Sequence, residues 1–237
     1  MSKKLGWLVV AMLALPLQAQ AAILFDYSGS LDTAGGGLIG SGQWATNTSI
    51  TWNVTFDDST NFWTYVYNFD APSKAVSHMD VEVSDTFTTD NLKPGSSAVS
   101  DDSPSEFGDE GASSPNIPET FYALKFTPSG DSASFDWQIV TDRAPMWGDF
   151  YGKDGKTSGG TIDVTIFNAG FGSPDSDPDI NTYPAADGSV QYHLLVPDTS
   201  DVPPPPPPPG VVPEPSSFLL LSTGLLGAAG FRRTRKS

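Results

Sequence analysis

Cysteine is absent from the 237 residues. That excludes a disulfide framework, a thiolate metal site and a cysteine nucleophile. Histidine is nearly absent, with only His78 and His193 to serve as imidazole bases or ligands. Basic residues are few: the chain has 12 Lys and Arg against 28 Asp and Glu. Between residues 22 and 210 only Lys74, Lys93, Lys125, Arg143, Lys153 and Lys156 face 27 acids, a net of −21. Such a surface repels a polyphosphate backbone and argues against a nucleic-acid partner. Outside the termini there are no helical stretches rich in Ala, Leu, Glu and Lys. No internal repeat is present either, which removes solenoids and propellers.

Turn formers, by contrast, are abundant, with 23 Gly and 21 Pro. Period-2 alternation is the dominant pattern in the middle of the chain. Ile50, Trp52, Val54 and Phe56 share one face of a strand, and Asp57-Asp58-Ser59 marks a turn. Trp63, Tyr65, Tyr67 and Phe69 alternate next, so residues 49–69 read as a hairpin. Met79, Val81 and Val83 alternate with His78, Asp80 and Glu82. Further strands are expected at 121–126, 135–140, 162–167 and 190–196, with weaker ones at 23–27 and 43–45. Short strands of this kind predict an all-β fold, an antiparallel β-sandwich of jelly-roll or Ig-like type, with a β-barrel as the alternative. Pro94 to Pro118 reads as a long acidic, Pro- and Ser-rich loop, disordered at least in part. Residues 141–160 read as a second loop in which aromatics sit among turn formers.

Both ends read as processing segments. Lys3 and Lys4 precede an apolar run from Leu5 to Leu15, and Ala19-Gln20-Ala21 is a small-x-small cleavage site. Residues 1–21 are thus expected to form a signal helix that signal peptidase removes after Ala21. A folded domain over 22–200 follows, then a linker over 201–211 with seven consecutive prolines, Pro203–Pro209. Those prolines predict a polyproline II spacer of roughly 22 Å. The tail, 212–237, has Pro213-Glu214-Pro215, an apolar run from Phe218 to Phe231, and a basic end of Arg232, Arg233, Arg235 and Lys236. As a helix that run spans roughly 21 Å, short of the roughly 30 Å hydrocarbon core. The basic end would stay on the cytoplasmic side. A temporary membrane stop is expected rather than a durable anchor.

The order of motif, apolar run and basic end resembles the PEP-CTERM sorting domain of Gram-negative bacteria. The resemblance implies that an exosortase recognises Pro213-Glu214-Pro215 and cuts nearby. The protein would be held briefly at the inner membrane by its C-terminal helix and then secreted or placed at the cell surface. It also implies a setting of extracellular polysaccharide, biofilm or matrix. The stretch Ala144–Tyr151 with Lys153-Asp154-Gly155, and the pairing of Trp63–Tyr67 with Ser77-His78, resemble other PEP-CTERM proteins to which no activity attaches.

Candidate chemistry is sparse. His78 beside Ser77 invites a triad, but no Gly-x-Ser-x-Gly elbow is present and neighbours in a strand point to opposite faces. His193 alternates with Gln191 on the expected polar side of the last strand. Asp80 and Glu82 fall on one strand face about 7 Å apart, as a glycosidase pair could. Asp175, Asp177 and Asp179 alternate like the start of a calcium loop. The sixth and twelfth positions of that template are Ile180 and Ala186, so only an irregular Ca²⁺ site using these residues or Asn181 is left. Trp147, Tyr151 and Trp44 fall in or beside expected loops, where they could stack on sugars, whereas Trp52, Trp63 and Trp137 read as core. The expectation is a non-enzymatic exported protein whose partner is an extracellular polysaccharide. A secreted carbohydrate-active enzyme and a purely structural matrix protein are the rivals.

Overall fold

The computed structural model describes residues 23–100, 103–108, 114–156, 159–172 and 188–197. The signal segment, the proline linker, the sorting tail and Asp175–Asn181 lie outside these. Among the described residues no helix is long and apolar enough to cross a membrane.

Two open antiparallel sheets face each other as a β-sandwich. The first has the order β1 (Ile23–Asp32), β3 (Ser49–Asp57), β4 (Phe62–Asp70), β8 (Ser134–Thr141). The expected hairpin is its centre, with Ser49 opposite Asp70 and Asp57 opposite Phe62. The second sheet has the order β2 (Leu38–Gly40), β11 (Asp163–Asn168), β10 (Phe150–Lys156), β5 (His78–Glu82), β7 (Phe121–Phe126), β6 (Ser105–Phe107). A small ribbon pairs β9 (Met146–Gly148) with β12 (Leu194–Val196). The weak strand expectation at 43–45 is a 3₁₀ turn, Gly42–Trp44, and the strand lies just before it as β2.

The alternation explains the core. Ile50, Trp52, Val54 and Phe56 of β3 and Trp63, Tyr65, Tyr67 and Phe69 of β4 point inward against Met79, Val81, Leu124, Phe126, Phe150, Val164 and Ile166 of the second sheet. Each such side chain contributes about 1.5–3 kcal/mol by leaving water. Phe56–Trp63 and Tyr67–Trp137 ring pairs, with centroids 4.8 and 5.1 Å apart, add specificity to the packing. Buried phenols find partners: Tyr67 donates to the Leu195 carbonyl at 2.7 Å and Tyr65 to that of Arg143 at 2.9 Å.

The central strands of the second sheet, β5 and β7, are buried on both faces over most of their length. The outer face of the sheet holds a separate cluster of Phe107, Ile117, Phe121, Ala123, Tyr151 and Phe171. One expectation is corrected here. Residues 141–160 are not a loop: they supply β9 and β10, because Met146, Trp147, Phe150 and Tyr151 are all buried. Within 94–118, described residues cover neighbouring strands. Ser96 and Ser97 cover the edge of β8, accepting hydrogen bonds from Val140 N–H and Gln138 N–H, both at 2.9 Å, and β6 pairs with β7. These serines meet the open donors of an edge strand.

Candidate functional site

One end of the sandwich carries a buried polar network. Asp149 joins β9 to β10 and is inaccessible, as are Asn168 and His193. Its Oδ1 accepts from Asn168 Nδ2 at 2.5 Å and lies 2.8 Å from His193 Nδ1. An ionised carboxylate can only accept, which assigns the proton to Nδ1. Asn168 Oδ1 in turn accepts from Phe150 N–H at 3.0 Å, and Glu82 Oε2 from Asp149 N–H at 2.6 Å. Two glycines leave room for these groups. A Cβ on Gly148 would lie 2.6 Å from Glu82 Oε2, and one on Gly170 2.7 Å from His193 Nε2.

The network fixes a tight turn. His193 N–H donates to Val190 C=O at 2.9 Å, and between them Gln191 and Tyr192 both have positive φ, +50° and +66°. Two consecutive left-handed residues fit a type I′ hairpin turn, which favours Asn-Gly. For side chains other than glycine that conformation costs roughly 1–2 kcal/mol per residue. The surroundings hold it. Ser189 Oγ donates to His193 C=O at 2.6 Å, and Gly188 N–H donates to Ser28 C=O on the edge of β1 at 2.7 Å. The turn and the β1–β2 bend flank an open groove of about 480 Å³, whose lining includes Ser30, Asp32, Gly35, Ser189, Gln191 and Tyr192. Asp32 Oδ1 accepts from Gly35 N–H, and its carbonyl accepts from Gly37 N–H, which closes the bend.

The outer face of the second sheet holds the other polar group. His78 Nε2 lies 3.4 Å from Asp80 Oδ2, and Asp80 is fully buried. Tyr151 donates to the Pro115 carbonyl at 2.8 Å, and Lys125 Nζ sits 5.5 Å above the Phe107 ring. Partial burial pushes the Lys153 ammonium below its ordinary pKa, against the pull of Asp163 and Asp80.

The sequence-expected residues fall differently from their reading. Trp44, Trp147 and Tyr151 are buried, at 0, 4 and 0% exposure, so none presents a ring face to a sugar in this conformation. Trp44 spends its indole N–H on Ser73 C=O at 3.0 Å. Packing decided this: the strands on which Trp147 and Tyr151 lie have both faces covered. His193 is not on a polar face but inside the Asp149 network. Asp80 and Glu82 do share a face, yet Asp80 is sealed and Glu82 holds a backbone amide. The metal residues Asp175, Asp177, Asp179 and Asn181 lie outside the described residues, as do Ala19 and Ala21. Among the described residues no group of three or more acids and histidines is placed to hold a metal. Sequence reasoning missed Asp149, Asn168 and Tyr192. No local motif marks them, because their roles come from chain ends brought together by the fold.

A protein-family model described as the PEP-CTERM protein-sorting motif matches residues 211–236. The match takes in Pro213-Glu214-Pro215, the apolar run and the basic end, and leaves the β-sandwich outside it. No curated protein matches the chain, and no solved structure matches it.

Proposed function

From a chain that carries a PEP-CTERM sorting motif and is therefore directed out of the cell to the surface by an exosortase, we propose a non-enzymatic β-sandwich that binds or structures extracellular polysaccharide. On this reading signal peptidase removes residues 1–21. The C-terminal helix then holds the protein at the inner membrane of a Gram-negative cell until the exosortase cuts near Pro213-Glu214-Pro215.

The observation that carries the reading is where the reactive groups lie. His78, Asp80, Asp149 and His193 are buried and engaged in packing, whereas among the described residues the open groove is lined by hydroxyls, an amide, a phenol, Leu31 and one carboxylate, Asp32. Glycoside hydrolysis by the usual route needs two carboxyl groups roughly 5–10 Å apart across the bond. A groove with one carboxylate and several neutral polar groups is suited to holding a sugar rather than cleaving it.

The test is a co-sedimentation titration of the processed protein against the producing bacterium's purified extracellular polysaccharide, with calcium and with chelator. Saturable binding is expected, and calcium dependence would point to the 175–181 segment. Release of new reducing ends would favour the enzyme instead. A matrix defect on gene deletion without saturable binding would favour a purely structural protein.

A further inference from the structure

We propose that the groove beside the Gln191–Tyr192 turn is the glycan-binding subsite, and that it takes a neutral, hydroxyl-rich sugar unit with Tyr192 as the stacking ring. The proposal rests on the reading that the protein binds polysaccharide, and it adds the place and the sugar class. Among the described residues Tyr192 is the only exposed aromatic, at 50%. It stands at the rim of the groove that also collects Ser30, Asp32, Ser189 and Gln191. An apolar ring face beside hydroxyl, amide and carboxylate groups is the combination that a pyranose requires. Its C–H face packs on the aromatic, while its hydroxyls both donate and accept. The volume of about 480 Å³ falls within the roughly 300–1,000 Å³ of small-ligand sites.

The second observation is conformational and independent of the groove's chemistry. Folding alone favours Asn-Gly at this turn, yet the chain places Gln and Tyr there with φ of +50° and +66°. A strained pair persists only where its surroundings over-determine it. Here the buried Asp149–His193 contact and the Ser189 hydroxyl do so from beneath. The effect is to fix Tyr192 in the open with its backbone locked, which lowers the entropy lost when a ligand docks.

Charge selects the sugar class. Among the described residues no Lys, Arg or His lines the groove, Asp32 does, and the chain carries a net charge of −16. A uronic or sulfated unit would meet repulsion with no cation to offset it.

The test separates the producing bacterium's extracellular polysaccharide into neutral and acidic fractions by anion exchange. Each is titrated with the processed protein and with its Tyr192→Phe and Tyr192→Gly variants. Glycine accepts the positive φ, so Tyr192→Gly removes the ring without straining the fold, and its melting temperature verifies this. The neutral fraction is expected to bind. Tyr192→Gly should weaken binding about tenfold or more, and Tyr192→Phe should stay near wild type. Undiminished binding by Tyr192→Gly, or preference for the acidic fraction, overturns the subsite while leaving polysaccharide binding in place. Failure of the wild type to bind either fraction overturns both.

Discussion

At Asp149 one buried carboxylate oxygen meets Asn168 and His193 while the backbone of the same residue exchanges hydrogen bonds with Glu82. Four separate stretches of chain therefore converge on one residue. Removing the carboxylate strands buried donors that water cannot reach, which costs about 2–4 kcal/mol. Asp149→Ala should lower the urea midpoint accordingly, and Asp149→Asn, which keeps one acceptor oxygen, should lower it less. Equal midpoints for wild type and Asp149→Ala would show that the network does not support the fold. None of this is legible locally. Asp149 sits in a stretch of aromatics and turn formers that reads as a loop, and Asn168 and His193 acquire their roles only when strands distant in sequence meet. The inward rings of β3 and β4, in contrast, are plain from alternation, since they recur at every second residue, as Trp63, Tyr65, Tyr67 and Phe69 do on β4.

At the scale of elements, alternation shows which side of a strand faces the main core but not what covers the other side. β5 reads as half-buried, yet His78 and Asp80 are buried too, and the His78 ring lies 6.2 Å from that of Tyr151, a neighbour no local pattern connects to it. The edge of β8 shows the same dependence on distant chain. Ser96 and Ser97 supply acceptors to its open N–H groups, so Ser96→Ala combined with Ser97→Ala should cost about 1–3 kcal/mol. It should also speed hydrogen exchange at Gln138 and Val140 specifically. Uniform acceleration across all of β8 would mean the edge is held otherwise. Beyond that edge, Asp142 takes hydrogen bonds from Lys93 and Asn91, both at 2.8 Å. Partial burial raises its pKa, but these bonds and the Lys93 charge outweigh it, so Asp142 titrates below the usual carboxylate value. A depressed folded pKa stabilises above the unfolded pKa, near 4, and that contribution is lost as pH falls through the folded value. Lys93→Ala should therefore move the Asp142 carboxyl resonance to a higher titration midpoint by NMR, and leave the corner less stable at neutral pH. An unchanged midpoint would remove Lys93 from the account.

At the scale of the whole molecule, an acidic β-sandwich is joined to a tail that directs it out of the cell. Among the described residues His78, Asp80, Asp149 and His193 are buried, and the exposed ring of Tyr192 stands beside a groove lined by Ser30, Leu31, Asp32, Ser189 and Gln191. The sorting tail was legible because a targeting signal acts as linear sequence. The sandwich was legible because its hairpins alternate. The groove was not, because it joins β1 near the start of the domain to a turn at its close.

Whether polysaccharide holds the sorted protein at the surface is read by fractionating the producing cells and treating the matrix with glycan-degrading enzymes that leave proteins intact. A protein lacking the residues beyond the Pro213-Glu214-Pro215 motif is expected in the matrix fraction and is freed by the digestion. Full-length protein confined to the membrane fraction, or processed protein that the digestion does not free, would contradict that expectation.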